Sequence, residues 1–168
     1  LRERLFMPKA VEKKSGIILD LGCGLNKHPL AVGMDKRKLE GVDIVHDLEK
    51  FPYPIKDESV LTIICSQFVE HLKPWLTIDF FNECWRVLKT GGKMVISTPY
   101  AGSSYYWQDP THCNGFTEKT FQYFDPEAPY NNLYPIYEPK PWKIDFCTYQ
   151  LNGILEVIMV KRGLNEKG

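Results

Sequence analysis

The chain has 168 residues, 43% of them hydrophobic and 25% charged, and its formal net charge is zero. That length suits one domain able to bury its own core, and the composition is that of an ordinary globular protein. The charge balance argues against a broad nucleic-acid footprint, and no apolar run approaches the roughly 20 residues of a membrane-spanning helix.

Leu1–Ser15 is polar and charged, with no clean period, and reads as an N-terminal arm or a short helix. The stretch Gly16-Ile-Ile-Leu-Asp-Leu-Gly-Cys-Gly24 follows, predicting a buried strand over Ile17–Leu21, an acid at Asp20 and a sharp turn at Gly22 and Gly24. Glycines there let the backbone turn and approach a ligand closely, at the strand end where open α/β sheets bind theirs. The pattern predicts a nucleoside-type cofactor site. Only six residues, Leu25 to Leu30, lead to the next strand, Ala31–Met34. A parallel crossover usually holds a helix, so this one is expected to be truncated.

Asp35 ends the second strand, where an acid is placed to accept ribose hydroxyls. Lys27 stands where the third glycine of a dinucleotide fingerprint belongs, so that fingerprint is incomplete. Lys36, Arg37 and Lys38 read as a solvated turn. A third strand is predicted at Val42–Val45, with Asp47 after it, and a fourth at Val60–Cys65. Each strand is short and apolar on both faces, which predicts parallel strands covered by helices on both sides.

A helix is predicted from Pro74 to about Lys89. Proline suits a first helical position, and Leu76, Phe80, Cys84 and Leu88 repeat at helical spacing. Arg86 and Lys89 suit its C-terminal end, and Gly91-Gly92 is expected to stop it. A fifth strand follows at Lys93–Ser97. The segment from Thr98 to His112 then carries Tyr100, Tyr105, Tyr106, Trp107, Asp109 and His112. Asp109 and His112 are the candidate catalytic residues, as a base or as an acceptor clamp; a turn with local capping bonds is the bland alternative. Asp125–Pro141 reads as an irregular surface loop. Trp142–Leu151 and Ile154–Arg162 flank Asn152-Gly153 and predict an antiparallel hairpin.

Five cysteines (Cys23, Cys65, Cys84, Cys113, Cys147), with no CxxC pair and no signal-peptide pattern, predict free thiols in a cytoplasmic setting. Cys65 and Cys84 are expected to be buried and inert, with Cys23 the accessible exception. His46, His71, His112 and Cys113 lack standard ligand spacing, so no metal site is expected.

Asp20-Leu-Gly-Cys-Gly24, Val45-His-Asp-Leu48, Ile64-Cys-Ser-Gln-Phe-Val-Glu-His-Leu72 and Arg86-Val-Leu-Lys-Thr-Gly-Gly92 occur in this order. Together they resemble the successive motifs of the class I S-adenosylmethionine-dependent methyltransferases. Asn26-Lys27 is similar to a short-linker subset of these. Gln108-Asp-Pro-Thr-His112, with Phe116-Thr and Phe121-x-Tyr-Phe124, resembles a subgroup of bacterial and viral methyltransferase-like proteins. The resemblance implies a Rossmann-like α/β fold with a mostly parallel seven-stranded sheet and a C-terminal antiparallel hairpin. It implies S-adenosylmethionine as cofactor. Asp20, Gly22 and Gly24 would line its methionine part, with Lys27 a candidate partner for the carboxylate. Asp35 would take the ribose, Asp47 and the Leu48 N–H the adenine, and Ser66 and Gln67 the sulfonium end.

One domain is expected over 1–168. It comprises an arm (1–15), a cofactor core (16–99), an acceptor-side segment (100–141) and a closing hairpin (142–162). The acceptor is expected to be a small molecule or glycan. A nucleic-acid or protein acceptor, or a non-catalytic methyltransferase-like binding protein, is the alternative. A sulfonium methyl is already activated, so such an enzyme mainly positions a nucleophile in line with it.

Overall fold

The computed structural model describes residues 16–129 and 134–164; the arm over 1–15 lies outside the described residues. Seven strands form one sheet: β1 (Ile17–Leu21), β2 (Val32–Asp35), β3 (Ile44–Val45), β4 (Val60–Ser66), β5 (Leu88–Pro99), β6 (Trp142–Tyr149) and β7 (Ile154–Lys161). Their order is β3-β2-β1-β4-β5-β7-β6. The first five are mutually parallel, and β7 runs antiparallel between β5 and β6. The mostly parallel seven-stranded sheet with its closing hairpin is therefore present.

Side chains alternate across a strand, so one face collects every second residue. The register aligns Val32, Leu19, Ile63, Met94, Met159 and Ile144 in one cross-strand row. The next row holds Met34, Leu21, Cys65, Ile96, Val157 and Cys147. Most of these side chains are fully buried. Helix α1 (Thr77–Val87) buries Phe80, Phe81, Cys84 and Val87. Phe81 packs edge-on or tilted against Phe121, Phe124 and Trp142. Each such ring contributes about 1.5–3 kcal/mol of burial free energy.

The other face is only half-buried among the described residues: Thr62, Ile64, Val95 and Ile158 all keep some exposure. The expected helices on both sides are not found there. Besides α1, the described helices are single turns: α2 (Ser104–Trp107), α3 (Glu118–Gln122) and α4 (Tyr134–Tyr137). No described helix is long and apolar enough to cross a membrane.

Other boundaries moved for physical reasons. Pro74–Leu76 forms a 3-10 turn before α1. The helix stops at Val87, not at Gly91-Gly92, because Leu88 turns extended (φ −69°, ψ 143°) and pairs with Val60. Lys89 and the glycine pair thus belong to β5, where its pairing with β4 shifts register. The second strand starts at Val32 and includes Asp35, and the third shrinks to Ile44–Val45. In the hairpin, Asn152-Gly153 sits inside a wider turn. The Gln150 N–H donates to the Ile154 carbonyl (2.7 Å) and the Gly153 N–H to the Gln150 carbonyl (2.9 Å). Part of the expected 125–141 loop falls at 130–133, outside the described residues.

The link from β1 to β2 contains turns and no helix. It packs directly on β2 instead. A Cβ on Gly33 would lie 2.5 Å from the Lys27 stem and 2.8 Å from the Cys23 sulfur, so only glycine admits this close approach. The Lys27 ammonium pairs with Asp43 (2.7 Å), whose carboxylate also accepts the Gly33 N–H (2.8 Å).

Candidate active site

At the C-terminal ends of β1, β4 and β5 the surface opens into a cleft of about 580 Å3. Gly22, Gly24, Arg37, Ser66, Gln67 and Ser97 are among its lining residues. Gly22 adopts a left-handed conformation (φ 67°), and its N–H donates to the Met34 carbonyl (2.9 Å). A Cβ there would sit 2.7 Å from the Phe68 ring, so the turn after β1 touches the loop after β4 only because residue 22 is glycine. Gln67 is also left-handed (φ 54°) without being glycine. Such a backbone costs about 1–3 kcal/mol and collects at functional sites. Bonds from its N–H (2.8 Å) and side-chain amide (3.3 Å) to the Ser97 carbonyl hold it in place.

The acids lie beneath and beside this cleft. Asp20 is 1% exposed, and one of its oxygens accepts the His28 N–H (2.8 Å), fastening the helix-less link to β1. Asp35 accepts four bonds. Arg37 supplies three, from its N–H (2.9 Å), Nε (3.1 Å) and Nη2 (3.3 Å), and Gly24 N–H the fourth (3.0 Å). Burial alone would raise this carboxyl, but the bonds from Arg37 and Gly24 outweigh it and hold it below the usual range. Arg37, read from sequence as part of a solvated turn, thus closes over the Asp35 carboxylate.

Asp47 and Leu48 follow β3 and do not line the cleft. Asp47 accepts the Glu49 N–H (3.1 Å) and faces Lys50 at 3.9 Å; Leu48 is buried, its carbonyl accepting the Tyr53 hydroxyl (2.9 Å). Lys27 faces Asp43 and not the cleft. Cys23 corrects the thiol expectation: it is buried, and burial with Asp20 and Asp35 nearby pushes its pKa up to about 11. All five cysteines are free, and Cys113 is the exposed one.

The segment after β5 turns through α2, capped by Ser103. Tyr106 is buried against the His112 ring (5.3 Å), whereas Tyr105 and Trp107 are exposed. Asp109 makes the local turn, accepting the Thr111 N–H (2.8 Å) and hydroxyl (2.7 Å), and lies 3.7 Å from His112 Nε2. His112 is not a solvent-facing cap. Its Nδ1 meets the Tyr106 carbonyl (2.6 Å), and its ring lies 4.8 Å from that of His71.

Glu70 completes the group and was not singled out from the sequence. It is fully buried; one oxygen accepts the Thr98 hydroxyl (3.0 Å) and the other has no partner. Burial pushes its pKa up to about 7, against bonds from backbone and Thr98 that lower it. Burial likewise lowers that of His71.

Comparison with known proteins fits this geometry. Residues 21–96 match the family model described as a methyltransferase domain. A Mycolicibacterium smegmatis protein named "Probable S-adenosylmethionine-dependent methyltransferase" is 38% identical over 98 residues, covering 49% of this chain and 37% of that protein. A similarly named Mycobacterium tuberculosis protein is 29% identical over 98 residues, covering 49% of this chain and 35% of its own length. The chain thus spans little more than a third of the curated relatives it matches. Among solved structures, a SAM-dependent methyltransferase from Archaeoglobus fulgidus superposes with TM-score 0.61 at 20% identity, over 89% of this chain and 87% of that one. One from Methanosarcina mazei gives 0.57 at 15% identity, over 89% and 94%. Residues 21–96 thus match a methyltransferase-domain model, and the fold is the one these solved methyltransferase structures share.

Proposed function

We propose that this chain binds S-adenosylmethionine in the cleft and transfers its methyl group to a small-molecule or glycan-type acceptor, in a cytoplasmic setting. The observation that carries this reading is the convergence of the Gly22–Gly24 turn, Ser66 and strained Gln67 around one cleft at the strand ends. Backbone at Gly22 and Gly24 lies open to the methionine portion, with Asp20 fixing the turn from below. Asp35 takes the ribose hydroxyls once Arg37 swings aside, which its 61% exposed side chain allows. Asp47 and the Leu48 N–H serve the adenine at the far end. Ser66 and Gln67 face the sulfonium.

Methyl transfer breaks the sulfur–methyl bond, leaving its electron pair on sulfur, as the acceptor atom bonds the carbon. The protein's task is alignment within about 3–3.5 Å. The acceptor enters from the Tyr100–His112 side, clamped by Asp109 and His112, with the exposed Tyr105 and Trp107 faces suited to stacking on a ring or sugar. Zero net charge favours such acceptors over nucleic acid.

Calorimetric titration with S-adenosylmethionine tests the cofactor half, and a methyl-donor assay over a metabolite and glycan panel tests the acceptor half. One binding event and turnover of a panel member are expected. Binding without turnover of any acceptor class fits the non-catalytic alternative, and turnover of RNA or protein alone overturns the acceptor assignment.

A further inference from the structure

We propose that Glu70, His71 and His112 form a site for one divalent transition-metal cation on the acceptor side of the cleft. Each residue offers one ligand atom, and these atoms lie within 4.8 Å of one another. Ligands around a cation with bonds of about 2.0–2.1 Å stand roughly 3.4 Å apart, so closure needs a modest side-chain rotation. His71, an exposed residue, can make it by turning about its contact with Thr111.

The hydrogen bonding around the cluster sets up the donors. His112 Nδ1 faces the Tyr106 carbonyl (2.6 Å) and His71 Nδ1 faces the Thr111 carbonyl (3.3 Å). A carbonyl only accepts, and the Thr111 hydroxyl near His71 Nδ1 (3.1 Å) gives its hydrogen to Asp109 (2.7 Å), so both Nδ1 atoms carry the hydrogen and both Nε2 atoms keep their lone pairs. Carbonyl-anchored imidazoles of this kind are the usual outer support of metal-bound histidines. Glu70 supplies the independent observation. Its side chain is fully buried, Thr98 holds one oxygen, and the other is left with no partner. A buried acceptor left unpaired carries a desolvation cost that coordination would remove.

The frame is also built. The Cys113 and Asn114 N–H groups both donate to the Glu70 carbonyl (2.9 and 3.0 Å), stitching the His112 stretch to the Glu70-His71 stretch. One carboxylate and two imidazoles suit zinc, iron, manganese or cobalt better than calcium or magnesium, which prefer oxygen alone. Three protein ligands with exposed His71 on the rim leave positions for water or an oxygen atom of the acceptor. Thr98, which bonds Glu70, directly follows the cleft-lining Ser97. What the cation would hold thus rests on the methyl-transfer reading; the binding itself does not.

The test uses the full chain after chelator treatment, titrated with Zn2+ against a chromophoric chelator and with Co2+ by visible absorption. One equivalent per chain is expected. His71→Ala and His112→Ala should each weaken binding at least 10-fold, and Glu70→Gln, near-isosteric and checked by circular dichroism, should do the same. No saturable binding, or unchanged affinity in the folded His71→Ala protein, overturns the site. Titrating the same samples with S-adenosylhomocysteine separates the two readings. Cation binding without cofactor binding removes the methyl-transfer reading alone, and cofactor binding without cation binding removes the site alone.

Discussion

At the scale of single residues, the Asp35–Arg37 fork is where the proposed cofactor binding and stability meet. All of the carboxylate's ordinary acceptor positions are occupied, so on the proposed reading ribose hydroxyls must displace Arg37. Arg37→Ala should therefore keep or tighten affinity for S-adenosylhomocysteine, while Asp35→Asn should weaken it about 10-fold or more. Calorimetry on both variants checks this, and equal weakening by both would place the ribose elsewhere. The same group has an acid signature. Its folded pKa is depressed, so its stabilisation is complete above its unfolded value of about 3.9 and is lost as pH falls through the lower folded value. Asp35→Asn should flatten the loss of stability below about pH 4, measured by urea unfolding across that range.

Thiol chemistry belongs to this scale too. Burial raises Cys65 and Cys84 well above the ordinary range, whereas Cys113 is exposed. Native alkylation with peptide mapping should find Cys113 modified first and Cys65 and Cys84 spared. Asp20, Gly22, Gly24 and Asp35 were legible because each lies in a short local pattern with a backbone meaning. Arg37 and Glu70 were not, because their partners come from tertiary geometry: a fork closing back on a strand end, and a loop meeting a histidine from beyond β5.

At the scale of elements, α1 and β5 show local preference yielding to pairing. The helical spacing of Leu76, Phe80, Cys84 and Leu88 runs one step beyond the helix, since Leu88 lies opposite Val60 and is fully buried there. Periodicity cannot distinguish a last helical turn from a first strand residue, so the boundary was the illegible part. What anchors this corner is Arg86. It bonds Glu83 through Nε (2.9 Å) and Nη2 (2.6 Å), reaches the Ile55 carbonyl (3.0 Å) and pairs with Asp57. Glu83, mostly buried, also accepts the Tyr53 N–H (2.6 Å). Arg86→Ala would strand that carboxylate in the interior, and breaking such a pair costs about 3–5 kcal/mol. Arg86 is a quarter exposed, so the expectation is the lower end, about 3 kcal/mol by urea unfolding. A loss below 1 kcal/mol would mean that water replaces the guanidinium.

At the scale of the whole molecule, a mostly parallel sheet closed by an antiparallel hairpin was legible from five short apolar runs followed by a hairpin signal, whereas the strand order came only from the structure. The helix-less link from β1 to β2 is a crossover kept short by packing Lys27 and Cys23 onto Gly33. That link carries Gly24 and His28, tied to the Asp35 and Asp20 carboxylates. The cleft floor is thus held by hydrogen bonds rather than by a packed helix, and a ligand seated on it should stabilise the fold as a unit. At 100 times Kd, a ligand that binds only the folded state adds about 2.7 kcal/mol. For a domain of this size about 1 kcal/mol moves Tm by roughly 2–4 °C, so S-adenosylhomocysteine should raise Tm by about 5–11 °C in scanning calorimetry. Gly22→Val should abolish that shift, because its side chain collides with Phe68 and forces the turn out of its left-handed conformation. A wild-type Tm unmoved at saturating ligand would count against the cleft as a cofactor site, whatever the fold resembles.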